Sequence, residues 1–188
     1  MSGNSISVKI AGGLGNQLFQ YATARSVALR TAAPLELDLS FYRSRRHRRF
    51  QLGAFPISVQ RMSGLGTVGR LMEKWLHRGK LYQEPHYHFD STVLSLQAPV
   101  KLNGYFQSPR YFNEFADIIR AELKCPDPAN PDVRLFGQKM ASQASASLHV
   151  RRGDYVTDPN AKQTFASCSV KYYVRALERF SPLSLIHI

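Results

Sequence analysis

The sequence is short of cysteine, of acidic residues and of long apolar runs, and each shortage excludes something. Its 188 residues contain two cysteines, Cys125 and Cys168, without paired spacing. Neither a zinc motif nor a disulfide framework is expected, which fits a reducing compartment. No apolar run approaches the ~20 residues that a membrane span needs. The N-terminus has no basic start followed by an apolar stretch, so no signal peptide is expected and the chain reads as cytoplasmic. No repeat and no low-complexity tract is present, and no acidic D-x-D motif offers a metal site. His86 and His88 stand two apart without an evident third ligand, so no metal is assigned to them.

Acidic residues number 13 against 25 lysines and arginines, a formal net charge of +12. Residues 1–80 hold thirteen of the basic residues and only Glu36, Asp38 and Glu73 as acids, so most of the excess lies there. Such asymmetry points to an anionic partner: a phosphate, a nucleic acid or an acidic membrane surface. The densest run is Arg43, Arg45, Arg46, Arg48 and Arg49, interleaved with Tyr42, His47 and Phe50. Basic and aromatic residues so mixed can bind single-stranded nucleic acid. A solvated loop, or a patch on an anionic membrane, is the commoner use. Its distance from the other motifs in sequence favours peripheral membrane contact over a part in any reaction.

What is present reads as an α/β chain. Ser5–Ile10 alternates, with Ile6, Val8 and Ile10 on one face, and predicts a strand. Gly12-Gly13-Leu14-Gly15-Asn16-Gln17 follows, then a helical stretch from Gln17 to about Thr31 and a second strand over Leu35–Leu39. Strand, glycine turn, helix and strand open a βαβ unit, and a turn rich in backbone donors at a helix start favours anions. A dinucleotide fingerprint would want a third glycine where Leu18 stands, although Asp38 falls near the ribose-binding place. A literal G-x-G-x-x-G at Gly64, Gly66 and Gly69 sits between a short strand (57–59) and a helix (68–76), and reads more simply as a loop. Val100–Tyr105 predicts a strand, and Tyr111, Phe112, Phe115, Ile118, Ile119 and Leu123 predict a helix after Pro109. Three prolines, Pro126, Pro128 and Pro131, mark a connection between domains 1–130 and 131–188.

The second segment carries the most informative stretch. A helix over 132–143 is followed by Ala146-Ser147-Leu148-His149-Val150, an apolar strand that runs into Arg151-Arg152-Gly153-Asp154-Tyr155. Two arginines at a strand end can grip a phosphate, because the guanidinium fork matches its oxygens. Asp154 can hold one guanidinium or cap the helix that follows. A plain surface turn with a local Arg–Asp pair reads equally well from these residues alone. Val170, Tyr173, Val174, Leu177 and Phe180 predict a further amphipathic helix.

Together these motifs resemble the bacterial α-1,2-fucosyltransferases, glycosyltransferase family 11. The run Gly12–Ala22 (GGLGNQLFQYA) is similar to that family's opening motif, and His149–Tyr155 (HVRRGDY) matches its H-x-R-R-G-D-Y signature in full. Leu37-Asp38, Gly104–Ser108 (GYFQS), Tyr111-Phe112, Tyr172-Tyr173 and Ala176 fall where the family has similar residues, so the likeness covers about residues 6–180. The resemblance implies a GT-B-like architecture, two Rossmann-like domains facing a cleft. It implies transfer of L-fucose from GDP-β-L-fucose to the 2-hydroxyl of a terminal galactose, with inversion and without a metal. The expected donor contacts are Arg151, then Arg152, with Gly13, Gly15, Asn16 and Gln17 on the other side of the cleft. Asn16 orients the acceptor or the sugar, and Asp154 and His149 are the candidate bases. Family members continue past the last helix, so the second domain is expected to be incomplete here and the 188-residue chain inactive alone. The competing readings are a nucleotide-binding Rossmann module without transferase activity, and a basic nucleic-acid-binding protein.

Overall fold

The computed structural model describes residues 4–43, 48–64, 79–150, 168–179 and 184–185. It divides into two compact units, Met1–Pro126 and Asp127–Ile188.

In the first unit, strand β1 (Ile6–Lys9) leads through the glycine turn into helix α1 (Leu14–Arg30), then β2 (Leu35–Asp38), β3 (Arg61–Ser63), β4 (Lys80–Gln83), β5 (Val100–Asn103) and the short helix α2 (Ala116–Glu122). Among the described residues the five strands form one parallel sheet in the order β3-β2-β1-β5-β4. Register explains its stability. Ile6 pairs between Leu35 and Val100, and Val8 between Leu37 and Leu102, so two cross-strand rows of branched side chains cover one face. Ile6, Val8, Leu37 and Leu102 are all fully buried, and each contributes about 1.5–3 kcal/mol. Helix α1 joins the same core through Tyr21, Ala24, Val27 and Ala28. Its small residues let it approach the sheet closely.

The other face of the sheet is polar at its centre. Glu36 and Asp38 of β2 are buried, as is Ser7 of β1. Asp38 accepts from the Lys101 ammonium at 2.8 Å and from the Ser40 N–H at 2.9 Å. Burial by itself would raise the Asp38 pKa, but the Lys101 and Ser40 bonds outweigh it and hold the carboxyl below its ordinary value. A carboxylate whose pKa is lowered on folding stabilises above its unfolded pKa of about 3.9, and that stabilisation fades as pH falls through the folded value. Asp38→Asn is therefore expected to cost about 1.5–3 kcal/mol at pH 7. In urea unfolding the gap between variant and parent should narrow towards pH 3; a gap that stays constant contradicts the assignment.

Several expectations need correction. The strand expected over 57–59 is absent, and the chain pairs four residues later, at Arg61–Ser63. Helix α1 starts at Leu14 and not at Gln17, because Gly13 is extended (φ −82°, ψ 177°) and serves as its N-cap. The single helix expected after Pro109 is broken. Two 3-10 turns (Pro109–Tyr111 and Asn113–Phe115) precede α2, with Phe112 at φ −135° between them. Gly66, Gly69 and the helix expected over 68–76 lie outside the described residues.

The second unit holds helix α3 (Pro131–Ala141), capped by the Asn130 side chain on the Asp132 N–H at 2.8 Å. It also holds strand β6 (Ser145–Ala146), paired in parallel with β7 (Ser184–Leu185), and helix α4 (Val170–Glu178). The apolar strand expected through Val150 stops at Ala146, and Leu148 and Val150 are about half exposed. A parallel strand needs neighbours on its edges and faces, and β6 has a two-residue partner. On α4, Tyr173 and Leu177 are half-buried while Val170 and Val174 are exposed. Among the described residues no helix is long and apolar enough to cross a membrane.

Candidate functional site

Sheet order places the site in the first unit. From β1 the chain moves outward to β2 and β3, then returns on the opposite side to β4 and β5. The crevice at the carboxyl ends of β1 and β5 is therefore the switch point where such sheets bind ligands. A cavity of about 410 Å³ lies there. Lys9 and Ala11 line it from the end of β1, residues 83–87 from the end of β4, and residues 103–105 from the end of β5.

Two glutamines of α1 tie this rim together. The Gln20 carboxamide accepts from the Ala11 N–H and donates to the Gly104 carbonyl, both at 2.9 Å, so it bridges the ends of β1 and β5. Gln17 donates to the Gly12 carbonyl at 3.2 Å and the Arg49 carbonyl at 2.9 Å, and accepts from the Gln51 N–H at 2.9 Å. Both side chains are fully buried or nearly so. A buried amide needs partners, and here the partners are the strand-end loops. Gln17, expected to touch a ligand, is thus wholly engaged with backbone.

The glycine turn is built around Gly12, whose φ of +81° suits glycine. A Cβ there would meet the Asn16 amide at 2.6 Å. Asn16 Oδ1 accepts from the Gln107 side-chain amide at 2.7 Å, and the Tyr42 hydroxyl donates to the Gly12 backbone carbonyl at 3.1 Å. Burial, with the nearby Tyr105, pushes the Tyr42 phenol up to about 12. A Cβ on Gly13 would face the Arg48 guanidinium at 3.6 Å, while Gly15 is exposed with open space above it. The basic run therefore ends against the glycine turn, not apart from it as its place in sequence suggests. Arg45, Arg46 and His47 lie outside the described residues.

The second lip is the Gly104–Ser108 segment. The Glu84 carboxylate accepts from the Tyr105 N–H at 2.6 Å and the Phe106 N–H at 3.0 Å. Phe106 sits at φ +52°, a conformation that costs a non-glycine residue about 1–3 kcal/mol and persists only where its surroundings fix it. Its ring is fully buried, stacked on Tyr82 and edge-on to Tyr111. The two N-terminal motifs of the sequence thus meet, through Gln20 on Gly104 and Asn16 on Gln107.

Asn16, Gly13, Gly15 and Gln17 are brought together at this turn. His149 belongs to the other unit and is exposed. Arg151, Arg152 and Asp154 lie outside the described residues. Asp38, weighed as a ribose ligand, is taken by Lys101 and Ser40. Leu18, at the place of a third fingerprint glycine, packs against the core. Gln20 and Glu84 were not singled out from the sequence. For Gln20 a signal existed: two amides three residues apart on an otherwise apolar helix face.

Residues 72–184 match the family model described as "Glycosyl transferase family 11". The chain belongs to glycosyl transferase family 11. The chain is similar to an alpha-1,2-colitosyltransferase of Escherichia coli, 29% identical over 193 residues, covering 95% of this chain and 66% of that protein. The O-antigen biosynthesis glycosyltransferase WbnK of Escherichia coli is 28% identical over 201 residues, 89% of this chain and 65% of that protein. A galactoside 2-alpha-L-fucosyltransferase of Caenorhabditis elegans is 32% identical over 96 residues, 50% of this chain and 26% of that protein. This family 11 chain spans just under two thirds of the length of the first two relatives. No solved structure gives a significant match.

Proposed function

We propose that the protein is an inverting glycosyltransferase that moves L-fucose from GDP-β-L-fucose to the 2-hydroxyl of a terminal galactose in a surface glycan. The observation that carries this reading is family 11 membership together with the complete His149–Tyr155 signature. The architecture proposed is GT-B-like: a first Rossmann-like domain over residues 1–130 faces a donor-binding domain that begins at 131. The named functions of the relatives, colitosyl and galactoside 2-fucosyl transfer, support a sugar-nucleotide donor and a glycan acceptor.

Chemistry assigns the roles. The transition state has oxocarbenium character, and the departing nucleoside diphosphate carries growing negative charge. Fixed guanidinium groups stabilise such charge without a metal. Arg151 takes the β-phosphate and Arg152 supports it. Gly13, Gly15 and Asn16 form the opposite wall, and Asn16 orients the acceptor or the sugar. His149 or Asp154 removes the proton of the acceptor hydroxyl. The basic run near Arg48 favours work at the inner face of an anionic membrane, with each basic residue near it worth about 1 kcal/mol.

Donor choice and metal independence are tested on a chain extended over the part of its relatives that this sequence does not span. Release of GDP should depend on a galactoside acceptor, proceed faster with GDP-fucose than with a colitosyl donor, and persist in EDTA. Faster colitosyl transfer would replace the donor. Activity lost in EDTA and restored by Mn2+ would overturn the metal-free mechanism.

A further inference from the structure

We propose that the 410 Å³ cavity at the ends of β1, β4 and β5 is a neutral sugar subsite, in which Tyr87 and Tyr105 form a one-sided aromatic platform and the Gln83–Asn103 amide pair reads hydroxyls. This deepens the function proposed above, since the sugar is then the galactose end of the acceptor.

The platform is a built feature. Tyr87 and Tyr105 have ring centroids 6.5 Å apart and planes inclined by 32°. A ring sandwiched between them would need about 7 Å, two contacts of ~3.5 Å, so a ligand ring is met by an outer face of the pair. Tyr87 is 76% exposed, an aromatic surface open to a ligand. Tyr105 is presented by the segment that the Glu84 carboxylate clasps and that holds Phe106 at positive φ. Backbone strain retained beside a cavity is characteristic of ligand sites.

The lining selects the class of ligand. A pyranose has a C–H face and a hydroxylated edge. The negative π-face of a tyrosine attracts polarised C–H groups. The Asn103 side-chain amide donates to Gln83 Oε1 at 2.6 Å, which leaves the Gln83 Nε2 hydrogens and Asn103 Oδ1 for hydroxyls. The cavity is also lined by Glu84, whose carboxylate disfavours a diphosphate. The site therefore suits an uncharged sugar better than a nucleotide.

The test is titration of the 188-residue chain with lactose, which ends in galactose, followed by saturation-transfer NMR, with GDP as the comparison ligand. Lactose is expected to bind. Tyr87→Ala and Tyr105→Ala should each weaken it about fivefold or more, while Tyr87→Phe retains most of the affinity and GDP binding is unchanged in all three. Lactose binding that is absent, or untouched by both alanine variants, overturns the subsite, as does loss of GDP binding in its place. The two proposals fail separately. Lactose binding without any fucosyl transfer by the extended chain removes the function and keeps the subsite. Transfer whose acceptor KM is unmoved by Tyr87→Ala removes the subsite and keeps the function.

Discussion

Glu122→Ala is expected to lower the thermal midpoint of the first unit by about 10–15 °C, the consequence of a loss of about 3–4 kcal/mol. Glu122, at the end of α2, ties that helix to α1 at two side chains. Its carboxylate accepts from both Nε and Nη2 of Arg25, at 3.0 and 2.7 Å, and from the Tyr21 hydroxyl at 2.6 Å. The Tyr21 oxygen in turn accepts from the Ser58 N–H at 2.9 Å. Arg25 and Glu122 keep only 17% and 14% of their side-chain surface in solvent. Truncating the glutamate strands a guanidinium with little water around it and a phenol buried in the core. Burial, then the bond to Glu122, already push that phenol far above its ordinary pKa, so ionisation offers no relief. Glu114 supplies the control. It pairs with Arg30 at 2.9 Å through a carboxylate that is 58% exposed, and surface pairs are worth about 0–1 kcal/mol. Calorimetry on Glu122→Ala and Glu114→Ala should separate the two clearly. Equal shifts would show that burial does not set the strength of these pairs.

Arg151→Lys should cut kcat/KM of the extended enzyme by about 10²–10³, the usual cost of removing one aligned donor from a developing oxyanion. A lysine keeps the charge and loses the fork, so a large effect isolates bidentate geometry from simple electrostatics. Arg152→Lys should lose less. The profile of each variant with GDP alone is informative as well: a rise in the GDP dissociation constant that parallels the fall in kcat/KM places Arg151 on the diphosphate. Near-parental turnover in Arg151→Lys removes it from that role.

Which parts of this molecule could be read from its sequence follows from burial. Strands β1, β2 and β5 lie at the centre of the sheet, and their Ile, Val and Leu alternation survives because one face is core. Strands β3 and β4 are its edges. Arg61–Ser63 and Lys80–Gln83 carry mixed residues, with Met62 and Leu81 exposed, and no period announces them. The glycine turn was legible because Gly12 and the turn chemistry around it are local. Its partners were not, since the Gln20–Gly104 and Asn16–Gln107 bonds span 84 and 91 residues. Glu84 was invisible for the same reason. Nothing around it in sequence says that its carboxylate closes on the N–H groups of residues 105 and 106. The basic run misled in the opposite direction: remote in sequence, it ends beside Gly13. Near Val150 the alternation predicts a strand that ends at Ala146, because alternation alone does not supply the neighbouring strands that a parallel pair needs.

The central claim is that this chain carries the acceptor wall and signature of a family 11 fucosyl transfer. It is tested most directly by NMR of the disaccharide linkage formed when the extended chain is given GDP-β-L-fucose and lactose. The account predicts a single new α-linked fucose on the 2-hydroxyl of the galactose, inverted from the donor. A β-linked fucose, or one on any other hydroxyl, would contradict it.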